Sequence, residues 1–144
     1  MAVLESVALP AVLDSLEELR ACARRSAEAV GLEAGRSYGL QLAVDEIATN
    51  VINYGYGAPD ASRHIWMSTE ATEDALVVRL EDEGTPFDPR EHELPSEEDL
   101  SAPLETRAVG GLGIMLALRG VDEFDYLREG GRNANVFRMR LGHG

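Results

Sequence analysis

The chain has 144 residues and a mass of 15.6 kDa, with 44% hydrophobic and 27% charged residues, the size and balance of one globular domain with a core two or three layers deep. Its net charge of -13 and pI near 4.5 exclude direct binding to a nucleic-acid backbone, and its basic residues are all arginine, which removes the lysine-dependent phosphate cradle of a Walker A loop or a protein-kinase β3 strand. No apolar run approaches the ~18 residues needed to cross a bilayer, the N-terminal MAVLESVALP lacks the basic and apolar regions of a signal peptide, and a single cysteine, Cys22, allows no intrachain disulfide, so a cytoplasmic protein is expected.

Val3 to Leu9 shows rough alternation, broken by Glu5 and ended by Pro10, and predicts a first strand. Leu16, Leu19, Ala23 and Ala27 mark a helix from about Asp14 to Val30, with Ser15 and Glu18 as a capping box and Gly31 after the last turn. Cys22 falls opposite that apolar stripe and is given no role. Arg20, Arg24 and Arg25 lie on the outer parts of the helix, a solvated charged face. A second helix starts near Glu33 and runs through Asp45–Gly57, DEIATNVINYGYG. Gly57 to Ser62 reads as a loop. His64 to Thr69 and Ala75 to Asp82 read as a hairpin turning at Thr72 to Asp74, with Leu76, Val78 and Leu80 on the buried face. The acidic, proline-containing stretch from Glu83 to Ala108 reads as a mobile lid. Gly110, Gly111 and Gly113 open a third helix ending near Arg119, and Val121 to Arg128 and Asn135 to Leu141 form a closing hairpin across Glu129, Gly130 and Gly131. This order predicts a single α+β domain, one sheet with helices on one face.

Three segments carry chemistry. At ~100° per residue, Leu40, Val44, Ile47, Val51 and Tyr54 form one apolar stripe of the second helix, and Glu46, Asn50 and Asn53 form a polar stripe beside it. A carboxylate and two amides at the rim of a core are costly unless they hold something. Asp82-Glu83-Gly84-Thr85-Pro86-Phe87-Asp88 ends a buried strand, where Asp82 can accept a hydrogen bond from an exocyclic amine and Gly84 lets a flat base approach the backbone. Gly110-Gly111-Leu112-Gly113-Ile114 enters a helix whose free N–H groups and positive dipole end suit phosphate. Asn50 offers a hard oxygen donor for Mg²⁺, and Glu46, one turn earlier, can orient or deprotonate an attacking hydroxyl or water. Together these supply the parts of a nucleotide site.

In order and spacing, the three segments resemble the N box, G1 box and G2 box of the GHKL (Bergerat-fold) ATPases. Within that superfamily the chain is most similar to the single-domain anti-sigma factor serine/threonine kinases, through LQLAVDEIATNVINYGYG, DEGTPFDP, GGLGIMLALRGVDEFDY and GRNANVFRMR. The resemblance implies a two-layer α/β sandwich with a mixed, mostly antiparallel sheet, and a lid at about residues 88–110. It implies Glu46 as general base, Asn50 as Mg²⁺ ligand, Asn53 as a nucleotide contact and Asp82 as the adenine reader with Gly84 beside it. Gly110, Gly111, Leu112 and Gly113 would shape the lid hinge and phosphate contacts. Arg107, just before the glycines, is the local candidate for a phosphate contact in a chain without lysine. The region from Gly131 to Asn135 departs from the family pattern and is assigned nothing.

ATP and Mg²⁺ are therefore the expected cofactors. The expected partners are a STAS-like anti-anti-sigma protein as substrate, a sigma factor whose basic face suits an acidic regulator, and a second copy of the chain. The alternative is a non-catalytic module in which ATP orders the lid for partner binding. A detached histidine-kinase catalytic domain is disfavoured, because His64, His92 and His143 fall on a strand, in the lid and at the tail.

Overall fold

A computed structural model of the chain describes residues 2–91 and 111–142. Five strands, β1 (Ala2–Ala11), β2 (Asp60–Ala71), β3 (Ala75–Asp82), β4 (Glu123–Glu129) and β5 (Arg132–Arg140), form one sheet in the order β1-β2-β3-β5-β4. Three helices, α1 (Leu16–Ala29), α2 (Ala34–Asn50) and α3 (Gly111–Leu118), pack on one face of it. The expected two-layer α+β sandwich is thus observed, but with no parallel strand pair among the described residues. The connections explain this. A single crossover helix would return the chain parallel to its start, whereas α1 and α2 form an antiparallel pair that brings β2 back beside β1 in the opposite sense. The hairpin of β4 and β5 then delivers β5 antiparallel to β3.

Strand alternation sorts the two faces. Ile65, Met67, Leu76, Val78, Leu80, Phe137 and Met139 point toward the helices, where Leu19, Leu40, Val44, Ile47 and Ile114 meet them. The opposite face carries Trp66, Arg79, Glu81 and Arg132, with the Arg132 guanidinium 3.6 Å from the centroid of the Trp66 ring. The β4–β5 turn uses Gly130 and Gly131 at φ 60° and 79°, the left-handed pair a two-residue hairpin loop requires.

Glu5, which breaks the pattern of β1, sits just after a register shift and lies opposite the inward-facing Thr69. Arg25 of α1 meets its carboxylate through two N–H groups at 2.8 and 3.1 Å, and so holds a polar group at the edge of the core.

Several local expectations differ from the structure: β2 begins at Asp60, inside the expected Gly57 to Ser62 loop, and β5 begins at Arg132 instead of Asn135. Cys22 is fully buried: at ~100° per residue it lies about 60° from Leu19, beside the stripe and not opposite it, and burial and the Glu5 carboxylate push its thiol up to about 11. Ser15 does not cap α1. Its hydroxyl instead donates to the Pro10 carbonyl at 2.7 Å, below a single 3₁₀ turn at Leu13–Ser15. Tyr54 is exposed, because α2 ends in a π turn at Val51–Gly55, closed by the Tyr56 N–H on the Val51 carbonyl at 2.8 Å, and this wider turn slips the 3.6-residue phase. No described helix is long and apolar enough to cross a membrane.

The approach of α2 to α3 is set by two glycines. A Cβ on Gly39 would stand 2.9 Å from the Gly120 carbonyl oxygen, and one on Gly120 would stand 2.9 Å from that of Gly39. Both obstacles are backbone, so neither can swing aside. Gly39→Ala is expected to destabilise the protein by about 1–3 kcal/mol through overpacking. Gly35→Ala, one turn earlier on the exposed side of α2, is expected to stabilise it by about 0.5–1 kcal/mol through helix propensity. Urea denaturation of the two variants checks the sign reversal.

Candidate functional site

At one end of the sandwich the π turn of α2, the end of β3 and the start of β5 enclose a cleft. Ile47, Asn50, Val51 and Gly55 line it from the helix, Asp82, Thr85, Phe87 and Pro89 from β3 and the segment after it, and Asn133 and Asn135 from β5.

Asp82 is the pivot of this cleft. As the last residue of β3 it faces inward by the same alternation as Leu76, Val78 and Leu80, and it is only 2% exposed. Its Oδ1 accepts from the Gly84 N–H at 2.8 Å and from Asn133 Nδ2 at 2.8 Å. Its Oδ2 is buried with no hydrogen-bond partner. Burial pushes the carboxyl above the usual range, against the bonds from Asn133 and Gly84, which lower it. A buried acceptor without a partner costs on the order of 1–3 kcal/mol, and a ligand donor would relieve that cost.

The loop after Asp82 is tied to the end of α2. Thr85 N–H donates to the Gly55 carbonyl at 2.9 Å, and a Cβ on Gly84 would stand 2.7 Å from the Gly55 carbonyl. Gly84 is thus required for close passage past the Gly55 backbone. The π turn at Val51–Gly55 is the segment that it passes. Tyr56 braces the same junction, donating to the His64 carbonyl at 2.6 Å and accepting from the Glu83 N–H at 2.8 Å.

The polar stripe of α2 divides in two. Asn50 is half-buried and lines the cleft with Asp82. Glu46, one turn earlier, is half-buried against α3, where a Cβ on Gly113 would stand 2.7 Å from its Cδ atom. Burial, then the neighbouring Asp45 charge, raises the Glu46 carboxyl. Asn53 is half-buried on the π turn, outside the cleft lining. Gly111, Leu112 and Gly113 form the first turn of α3. Arg107, Gly110 and the expected lid from His92 onward lie outside the described residues.

Sequence reasoning passed over Asn133 and Asn135. Both are buried, and both share the inward face of β5 with Phe137 and Met139. Asn133 Nδ2 reaches the carbonyls of Gly84 and Thr85 at 3.1 and 3.3 Å as well as Asp82, while its Oδ1 accepts from the Tyr126 hydroxyl and, at 2.9 Å, from Arg128 Nη1. Asn135 Oδ1, like Asp82 Oδ2, is buried and unpartnered. The available signal was two amides at period two on a strand whose next inward positions are Phe and Met, since amides at core positions need a reason to be there.

The donor set suits a nucleotide. Asp82 Oδ2 and Asn135 Oδ1 are two unpartnered acceptors in one cleft, as an amine with two N–H donors would require, and Asn50 supplies a hard oxygen on the helix side. No cluster of three or more His, Cys, Asp or Glu able to hold a metal occurs among the described residues. A Mg²⁺ ion that keeps most of its shell as water and phosphate oxygen needs no such cluster.

The described fold has counterparts of known structure. The crystal structure of the RsbU and RsbW domains of Rv1364c from Mycobacterium tuberculosis matches 96% of this chain at a TM-score of 0.64 and 15% identity, and the chain spans 33% of its length. The SiaB–SiaC complex of Pseudomonas aeruginosa matches 97% of the chain and 91% of its counterpart at 0.60 and 16%. The histidine kinase AdeS of Acinetobacter baumannii matches 97% and 69% at 0.50 and 12%. No curated protein matches the sequence. A family profile described as a histidine kinase-like ATPase domain matches residues 9–141, nearly the whole chain and all the elements that build the cleft, and the chain therefore belongs to the histidine kinase-like ATPase domain family.

Proposed function

We propose that the protein is an ATP-dependent regulator of the anti-sigma type, which transfers a phosphoryl group to a serine or threonine of a STAS-like anti-anti-sigma protein and in its other state sequesters a sigma factor. The observation that carries the proposal is the buried, unpartnered Oδ2 of Asp82 in a cleft whose helix wall presents Asn50, with Glu46 one turn away. Family membership and the likeness to the RsbW and SiaB folds support it.

In this reading Asp82 accepts a hydrogen bond from the adenine amine. Asn50 holds Mg²⁺, and Asn53 contacts the nucleotide. The first turn of α3, with Gly111, Leu112 and Gly113, faces the phosphates, joined by Gly110 and Arg107 just before it. ATP supplies the phosphoryl group, and Mg²⁺ neutralises phosphate charge. Glu46 takes the proton of the attacking hydroxyl, and its raised pKa makes it a better base than an exposed carboxylate. The net charge of -13 suits a partner with a basic face, as sigma factors have, and a second copy of the chain completes the proposed assembly.

Incubation with labelled ATP and a co-encoded STAS-like protein tests the kinase. Phosphoprotein should form, and Glu46→Gln should slow its formation by about 10²–10⁴-fold while ATP still binds. Bound ATP with no phosphoprotein would instead mark a non-catalytic, ATP-dependent binding module. Transfer undiminished in Glu46→Gln would remove Glu46 from the chemistry.

Asp82→Asn should separate binding from stability. It removes the carboxylate acceptor, so ATP affinity should fall at least tenfold in calorimetry. It also removes a buried charge. The raised pKa of Asp82 means that its stabilising contribution is complete below the unfolded value near 3.8 and is lost as pH rises through the folded value. At pH 7 the variant should therefore be at least as stable as the wild type, and the gap should close as pH falls toward 4. Thermal melts across that range check both the sign and the window.

A further inference from the structure

We propose that Asn133 sets the base specificity of the cleft by holding Asp82 so that only one carboxylate oxygen is offered to the ligand; the proposal rests on the reading of the cleft as a nucleotide site. Each carboxylate oxygen has about two lone-pair positions. Asp82 Oδ1 already accepts from Gly84 N–H and Asn133 Nδ2, both at 2.8 Å, and is saturated. Only Oδ2 remains.

The Asn133 amide cannot reverse without loss. Its Oδ1 accepts from Arg128 Nη1, which can only donate, and from the Tyr126 hydroxyl, which itself accepts from the Phe87 N–H at 3.3 Å. Turned over, its NH₂ would face those donors, and its oxygen would face the Asp82 carboxylate and the carbonyls of Gly84 and Thr85. Five contacts thus fix one orientation, at a residue 3% exposed. Arg128 Nη1 also reaches the Gly84 carbonyl at 3.3 Å, which ties the lock to the loop after β3.

A fixed carboxylate with one open oxygen discriminates between purines. Guanine presents N1–H and the N2 amine side by side, and a carboxylate reads that edge with both oxygens. Adenine presents one amine, flanked by ring acceptors, whose two N–H groups match the two open acceptors, Asp82 Oδ2 and Asn135 Oδ1. Guanine brings three N–H donors to the same two acceptors while Asp82 Oδ1 is held by Asn133, and a polar group left unpaired in a buried site is a strong basis for rejection. Asn133 is a positioning residue in this scheme, with Tyr126 and Arg128 behind it.

Calorimetric titration of the full chain with ATP and with GTP tests the proposal in the wild type, Asn133→Ala and Tyr126→Phe. The wild type should prefer ATP. Asn133→Ala should lower the ratio of ATP to GTP affinity by about tenfold, and Tyr126→Phe, which keeps the amide but removes one of its two donors, should lower it by a smaller factor. A general structural role would weaken both nucleotides together, so a ratio unchanged from wild type would overturn the proposal. If Asn133→Ala does not fold, Tyr126→Phe decides alone. A wild type that binds ATP with a ratio neither variant moves overturns only the role of Asn133, whereas a wild type that binds neither nucleotide overturns the nucleotide-site reading with it.

Discussion

The structure turns on a carboxylate buried at the end of a strand with half of its hydrogen-bonding capacity unused. Asp82 could have been avoided by ending β3 one residue sooner or by an apolar side chain, and the core would be more stable for it. Instead, the surroundings are arranged to keep it. Asn133 and the Gly84 N–H satisfy Oδ1, Gly84 and Thr85 fasten the following loop to Gly55, and the π turn is what brings Gly55 within reach. A turn that costs helical regularity and an acid that costs stability occur at one place, and the binding site proposed there would account for both.

A second constraint joins the two halves of the site. Gly39 and Glu46 are seven positions apart on α2, and Gly113 and Gly120 are seven apart at α3 and just after it. The contacts Gly39–Gly120 and Glu46–Gly113 therefore belong to one antiparallel crossing, read two turns apart. Close passage at the glycine pair fixes the distance between the helices, and that distance places the Glu46 carboxylate against Gly113. The side chain beside the Asp82 cleft is thus positioned by backbone packing at the far end of the same helix.

Much of this was legible in the chain. The bounds of β3 and its inward face were readable from period two, and the α2 stripe from Leu40 to Val51 from period 3.6, because burial on one face imposes those periods directly. Asp82 could be picked out because an acid at the end of such a strand contradicts its own pattern. The losses have physical causes. Tyr54 fell outside the core because a π turn changes the angular step, and nothing in VINYG marks one. Cys22 was misplaced although ~100° per residue already puts it about 60° from Leu19, on the flank of the buried stripe. Gly84 was recognised as a necessary glycine, but its neighbour is backbone, and only tertiary structure shows that. Asn133 and Asn135 were missed through comparison with a pattern that lacks them, although their alternation with Phe137 and Met139 was evidence in itself.

The two raised carboxyls of the site have unlike environments and so unlike capacities. Asp82 is deeply buried and held by two donors on one oxygen, which resists movement and suits recognition of a fixed ligand edge. Glu46 is only half-buried, has a flexible stem, and is raised first by burial and then by Asp45, which pairs with Arg20 of α1. A half-buried carboxyl with a raised pKa is free to move toward a proton that it accepts, which suits the base role proposed for it.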